Sequence, residues 1–542
     1  MDVLASIRAR LLACILILAA GISLPGAAAP LSPGAYSSLG DLDIASGSLT
    51  FNTDTLTLSG AFAGTGVVQD QSGSYPDIAV FTFGTVNIGA GVTVTAQGAR
   101  PLAILSQGNL TIAPSLDFNG SKGGDGGSFF AFCDNTSRGA GGTPGVGGGR
   151  GGAGGTMDAS CPLGNENFHA TSGSGGSSGG LSGGGPGGSV GGDGGSGAFS
   201  NIGPRSLGLG LSGGSGGGGG GGIDGFPDAF GAGGGGGGGA VEFGANGIVT
   251  LNSVSARGGA GGNAAATGGA GGAGSGGGIF AHGSAISIAQ LDASSGGSVR
   301  VAPGIFSIGD TLPTVAAGLA ELAPDLTRVP AGQTLTLAPG GTPMPGGLKL
   351  LTKDVEISGG ELKGNGTVGG NLLNAGTLSP GSSPGHIDVM GDFIQDAAGS
   401  LHIELGGTSR SAPVQYDSID AVAVLLDGQL DVLLVALLSG DPLFAPALGD
   451  FFDIILGTSI GGDFSSFLFP TLSSGLAFDH DIVGIAGGMF AYRLSIVEAD
   501  GARAPLPATI LLLGLGLACL GWSRRRKYRV VTSQGRGGGG AG

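Results

Sequence analysis

Three stretches of this chain can be laid over one another: ARPLAILSQGNLTIAPSLDFNG at residues 99–120, GGAVEFGANGIVTLNSVSARGG at 238–259 and GGIFAHGSAISIAQLDASSGG at 277–297. Each reads as a short strand, a Gly turn, an alternating strand, a tight corner and another short strand. Apolar residues fall in matching places: Leu110 and Ile112, Val249 and Leu251, Ile286 and Ile288. A period of two is that of a half-buried strand, and Gly, Asn and Asp mark the turns between strands. One such unit has too little apolar surface to form a core. Stacked units bury a continuous core and pair their backbones with the units above and below. The body shows no helical periodicity of any length. The expectation is an all-β chain folded as a right-handed parallel β-helix, a β-solenoid.

The pattern continues through residues 331–405, where Leu335 and Leu337, Val355 and Ile357, then Leu362, Val368, Leu372 and Leu378 are spaced by Gly and Asn. The first and second copies are separated by an insert at 120–239, nearly half of it Gly. The whole chain has 125 Gly in 542 residues, against an ordinary share of roughly 7%. Without a Gly-X-Y period this is not collagen. Glycine offers no side chain to bury and loses the most backbone freedom on ordering. The insert is therefore expected as a flexible loop pushed out from one face of the solenoid. The alternative is a set of packed, extended polyglycine helices bonded through their backbones, which runs such as Gly216 to Gly222 and Gly233 to Gly239 permit.

The two ends are of another kind. Residues 1–28 read as a secretory signal peptide: Arg8 and Arg10, an apolar stretch from Leu11 to Ile22, and small residues at 26–29, with cleavage expected after Ala28. Near the other end, Ala508 to Trp522 is a nearly uninterrupted apolar run followed by Arg524, Arg525, Arg526 and Lys527. As a helix it is roughly 22 Å long, short of a bilayer core of about 30 Å, a gap that snorkelling and thinning can close. The basic cluster stays on the cytoplasmic side. Pro505 and Pro507 stop the helix upstream. The resulting division is a signal peptide at 1–28, N-terminal solenoid rungs at 29–119, the insert at 120–239, the solenoid body and a C-terminal β region at 240–497, a sorting and membrane segment at 503–527 and a Gly-rich tail at 528–542.

Of the four Cys, Cys14 and Cys519 fall in the apolar end segments. Cys133 and Cys161 remain in the mature body and form a candidate disulfide in an oxidising compartment, the other reading being two free thiols. Charged residues are 11% of the chain and the net charge is −16. With no basic run between the ends, nucleic acid is excluded as a partner, because phosphate binding needs clustered Lys and Arg.

The segment APLPATILLLGLGLACLGWSRRRK resembles the PEP-CTERM class of sorting signals, in its VPLPA variant, with Ala504 in place of the usual Val. The resemblance implies a sorting motif at Pro505, Leu506, Pro507 and Ala508, and the membrane-flanking basic cluster Arg524 to Lys527. It implies as partners the general secretion machinery, the bilayer through the C-terminal helix, and an exosortase, a membrane cysteine protease-transpeptidase that processes the motif. A 15-residue tail after Lys527 departs from the pattern. The run NAGTLSPGSSPG at 374–385, followed by Gly-Asp-Phe at 391–393, resembles a rung motif of autotransporter-like and pectin-lyase-like β-helix proteins. That resemblance implies architecture and surface export, with extracellular polysaccharide as a partner, and carries no catalytic residue.

Parallel β-helices also house polysaccharide lyases and hydrolases, which need placed carboxylates. Asn52, Thr53 and Asp54 spell only a fragment of such a site and read as a strand-end turn. None of the five His (His169, His282, His386, His402, His480) has the spacing of a zinc site. Asp479 and Asp481 beside His480 read as turn residues, the other reading being a cation site. No catalytic residue, metal ligand or cofactor is assigned. The expectation is an exported structural or adhesion protein of the cell surface or matrix, the alternative a carbohydrate-active enzyme.

Overall fold

The computed structural model describes residues 30–499, except 72–74, 130–137, 222–227, 266–267, 382, 412, 474 and, within 156–209, all but five short stretches. The expected signal peptide, the segment from 500 to 542, and Cys133 and Cys161 lie outside the described residues. Among the described residues no helix is long and apolar enough to cross a membrane. The architecture of the described residues is all-β, with only 3-10 turns besides strands.

The strands form parallel ladders between successive coils, as the repeats require. Leu110, Val249 and Ile286 lie side by side, and so do Ile112, Leu251 and Ile288. On the other face Leu102, Val241 and Ile279 share a register. The long strand Ala285–Pro303 contributes to both faces, so one 16-stranded sheet wraps the N-terminal stack. The three copies are thus three adjacent coils, although Asn109 and Ile248, bonded across neighbouring rungs, are 139 residues apart in sequence.

From Asp354 onward each coil contributes one strand to each of three sheets, paired in parallel until the closing hairpin. Apolar side chains stack in files inside them: Val355, Leu372, Phe393 and Val424 in one sheet; Leu335, Leu362, Leu378, Leu401 and Leu430 in the next; Ile387, Ile419 and Ile455 in the third. Alternation decides which residues face in. In Ser400–Leu405, Leu401, Ile403 and Leu405 are buried while Ser400, His402 and Glu404 point outward. The stack ends in an antiparallel hairpin, Leu476–Gly484 with Phe490–Glu498, laid against Phe451–Gly457. The antiparallel closure gives the last parallel strand a partner, and Leu476–Gly484 becomes the edge of that sheet.

The glycine-rich insert differs from the flexible loop expected. Its described segments pack into a bundle at the corner where coils leave Leu116–Asp117 and Ile248–Ser255. At the centre runs the extended segment 231–239, every residue of it buried. Its N–H groups point in three directions in turn: Gly233 and Gly236 donate to Gly124 and Ser121, Gly234 and Gly237 to Gly152 and Gly149, Gly235 and Gly238 to Gly272 and Ser275, all at 2.8–3.0 Å. Its carbonyls accept in the same rotation, from Gly142 and Gly145, from Gly214 and Gly217, and from Gly259 and Gly262. Six neighbours therefore surround one threefold helix. A polyproline-type helix has three residues per turn and no internal hydrogen bonds, so all its backbone groups are free to bond sideways. Only glycine permits the approach: a Cβ on Gly234 would overlap the Gly217 carbonyl, and one on Gly237 the Gly214 carbonyl.

Peripheral segments keep a side chain at every third position, where it faces out. Arg150 is exposed and Ala153 half-buried between buried glycines, and Ala260 and Asn263 are exposed in the same way. Residues 256–263 and 269–277, where the second copy leads to the third, also belong to the bundle. Sheet pairing runs directly into it. Phe118 donates to Ser255, then Gly120 to Arg257, Gly123 to Ala260 and Gly126 to Asn263. The ordering cost of glycine is met by backbone hydrogen bonds instead of side-chain burial.

Candidate functional site

The stack brings polar side chains together that sequence spacing keeps apart. In the strand His386–Val389, His386 and Asp388 lie on the outer side, and the next coil sets Ser418 beside His386 and Asp420 beside Asp388. His386 Nε2 lies 3.0 Å from Asp388 Oδ1 and 3.7 Å from Asp420 Oδ2, and its Nδ1 lies 2.9 Å from Ser418 Oγ. Like charges on adjacent strands repel. Arg410 Nη2 relieves this by donating to Asp420, while its Nε bonds the Asp453 carbonyl at 3.0 Å. Beyond it, Arg493 grips both oxygens of Asp453 at 2.6 and 3.0 Å and lies over the Phe451 ring at 4.1 Å. The fork on Asp453 holds the Arg493 guanidinium above its usual range. The sequence reading missed the His386 cluster because its parts sit on different coils. The His-x-Asp and Ser-x-Asp alternation in two strands of one file is the signal that finds it.

Described residues of the NAGTLSPGSSPG segment bond to neighbouring coils. Asn374 is fully buried, with Nδ2 donating to Gln395 Oε1 at 3.0 Å and to the Ser400 carbonyl at 3.1 Å, while its Oδ1 accepts from Gly376 N–H at 3.0 Å. Outside, Asp354, Asn371 and Asp392 form a file in which each side chain accepts from a backbone N–H one coil on. Asp417 is buried and accepts from Gly385 and Glu404 N–H at 2.6 and 2.9 Å. Burial pushes its carboxyl up to about 8, with those two bonds pulling the other way.

Asn52 ends the first strand, and its Oδ1 accepts from the N–H groups of Asp54 and Thr55, both at 3.0 Å, as a strand-end turn does. Asp479 and Asp481, expected in a turn, lie instead within the strand Leu476–Gly484, and each accepts from the following N–H. His480 between them packs on Phe467, with centroids 4.3 Å apart. His402 lies 3.8 Å from Asp431 on the neighbouring coil. His282 and Glu242 form a buried pair at 2.9 Å, and Glu242 also holds the Leu31 N–H at 2.8 Å, tying the N-terminal segment to the stack. Cys133, Cys161, the sorting residues Pro505 to Ala508 and the cluster Arg524 to Lys527 lie outside the described residues.

Compared with known proteins, the chain finds no match among curated relatives. Residues 504–526 match the family of PEP-CTERM protein-sorting motifs. The match takes in Pro505, Leu506, Pro507 and Ala508, the apolar run, and Arg524 to Arg526. This chain therefore carries a PEP-CTERM protein-sorting motif at its C-terminal end, a signal that implies recognition by an exosortase and export to the cell surface or beyond.

Proposed function

We propose that the protein is a structural or adhesive component of the cell surface or extracellular matrix, handled by an exosortase and built on a right-handed parallel β-helix. The observation that carries this reading is the sorting motif at 504–526. Two features of the body support it. Its outward files carry short polar residues such as Asp354, Asn371 and Asp392, whose side chains are occupied in bonding the next coil. Its glycine bundle is bonded through its backbone and carries Arg150, Ala260 and Asn263 on its rim. A long regular face of this kind suits many weak contacts to an extracellular polysaccharide better than one deep pocket. The signal peptide delivers the chain to the secretion machinery, and the bilayer holds it through the C-terminal helix until processing.

A carbohydrate-active enzyme is the second reading, and His386, Asp388 and Asp420 are where it would work. Against it stands the Arg410 partner of Asp420, which compensates one of the two carboxylates. The test is protease shaving of intact cells, comparing the wild type with Arg524, Arg525 and Arg526 all changed to Gln. The reading expects digestion of the wild-type body from outside and retention of the variant in the inner-membrane fraction. A variant displayed like the wild type would refute sorting. Loss of polysaccharide cleavage on Asp388→Asn, from a wild-type preparation that cleaves, would establish the enzyme instead.

A further inference from the structure

One corner of the C-terminal stack is apolar where it meets solvent. Between the strands Gln429–Leu434 and Phe451–Gly457 the chain leaves the coil as a loop. Phe444 turns inward and meets Phe452 edge-on, with centroids 6.0 Å apart. Leu438, Leu443 and Leu448 turn outward, with 69%, 65% and 56% of their surface exposed, and Phe451 beside them keeps 50%. Residues 435–449 contain a single charge, Asp441, and no Lys or Arg. Exposed apolar groups gathered on one loop mark a contact surface, and a loop with one charge suits an apolar partner better than a charged one.

The position of the loop identifies the partner. Gly449 N–H donates to the Ile496 carbonyl at 3.0 Å and Ile496 N–H to the Asp450 carbonyl at 2.8 Å. The last strand, Phe490–Glu498, thus leaves the body alongside Leu448. From residue 499 the apolar run that begins at Ala508 is nine residues on, which an extended chain spans in at most about 30 Å. A chain whose run sits in a bilayer therefore presents this corner to the lipid, and a tether so short keeps the effective concentration of that surface high. A second copy of the chain has no such tether.

We propose that the loop carrying Leu438, Leu443 and Leu448 is a membrane-docking surface that seats the C-terminal end of the solenoid on the bilayer while the sorting segment is engaged. This rests on the sorting reading above. Leucines at the boundary between headgroups and acyl chains lose apolar surface to lipid, as the apolar face of an interfacial helix does. Seating the body holds the end of the strand Phe490–Glu498 near the interface, within a short chain length of the Pro505–Ala508 motif that a membrane enzyme must reach.

The test uses the full chain in phosphatidylcholine vesicles containing brominated acyl chains. Trp522 is the only Trp and reports insertion of the C-terminal segment. In a Trp522→Phe background, Leu438→Trp and Leu443→Trp report the loop. Ile305→Trp reports another solvent-facing apolar site, 47% exposed, at the start of the C-terminal stack. The proposal expects quenching of Trp at 438 and 443 at least threefold stronger than at 305. Quenching at 522 with none beyond the 305 level in the loop would overturn it. A blue-shifted loop emission without quenching would also overturn it, since protein would then cover the loop. Absence of quenching at 522 would show that the membrane reading had failed first.

Discussion

Gly235→Ala measures how tightly the glycine bundle is packed. Gly235 sits mid-way along the central helix; its N–H donates to Gly272 at 2.9 Å and its carbonyl accepts from Gly217 at 2.8 Å. A Cβ there overlaps the Gly259 carbonyl, which belongs to backbone and has no rotamer to give. Moving the 256–262 segment away stretches its own bonds to the central helix, among them Gly259 N–H to Gly236 at 2.8 Å. Overpacking of this kind costs about 1–3 kcal/mol, and two weakened backbone bonds add roughly 0.5–1.5 kcal/mol each. The smaller entropy of the unfolded Ala chain returns about 0.4–1 kcal/mol. The expected net loss is about 1–6 kcal/mol, read as a lower denaturation midpoint of the N-terminal stack. Gly175→Ala is the control, because the nearest atom to its Cβ, the Gly185 carbonyl oxygen, lies 3.4 Å away in ordinary contact. Hydrogen exchange supplies the second readout: amides 233–238 of the wild type should be protected like those of Ala240–Ala245. If Gly235→Ala is as stable as Gly175→Ala, or those amides exchange at the rate of an open chain, the bundle is not packed as described.

Stability should fall as pH rises from about 4 to about 8, because an unfolded Asp ionises near 3.9 while buried Asp417 holds its proton up to about 8. Over that window the folded chain binds the extra proton, so raising pH favours unfolding, and the slope ends once Asp417 ionises in the folded state. Asp417→Asn should lose this slope, and identical pH profiles for the two proteins would contradict the assignment. Asn374→Ala should cost about 1–3 kcal/mol, since it strands the buried Gln395 and the Gly376 N–H; an unchanged denaturation midpoint would contradict this. Leu401→Ala, in the middle of a fully buried file, should cost about 2–5 kcal/mol, against well under half a kcal/mol for the outward Ser400→Ala; equal effects would mean that the file is not a core.

What could be read from the sequence followed from side-chain alternation. Leu110, Val249 and Ile286 advertise their register because each rung repeats the same in-and-out pattern, and Leu335, Leu362 and Leu378 do so again. The bundle could not be read that way. The run 233–239 has no side chains to show a period, and its order comes from backbone groups that every residue has. The signal lay in the neighbours, where Arg150 and Ala153, or Ala260 and Asn263, interrupt glycine pairs at threefold spacing. The His386 cluster was hidden for another reason: Asp420 reaches it through stacking, and the lengths of the connecting corners vary too much for spacing to predict a partner. Asp479 and Asp481 misled because Asp favours turns, whereas here they lie in an antiparallel strand and bond the next N–H. The sorting motif was legible because its three parts, Pro505 to Ala508, the apolar run and Arg524 to Arg526, are contiguous and require no fold to bring them together.

The central claim is that the motif at 504–526 is used. Mass spectrometry of the mature protein after cell fractionation tests it most directly, comparing the wild type with Pro507→Ala. The account predicts that surface or extracellular wild type lacks the peptides beyond the sorting motif, and that Pro507→Ala keeps them and stays in the membrane fraction. Recovery of the intact C-terminus through Gly542 from the surface fraction, with Pro507→Ala distributed like the wild type, would contradict it.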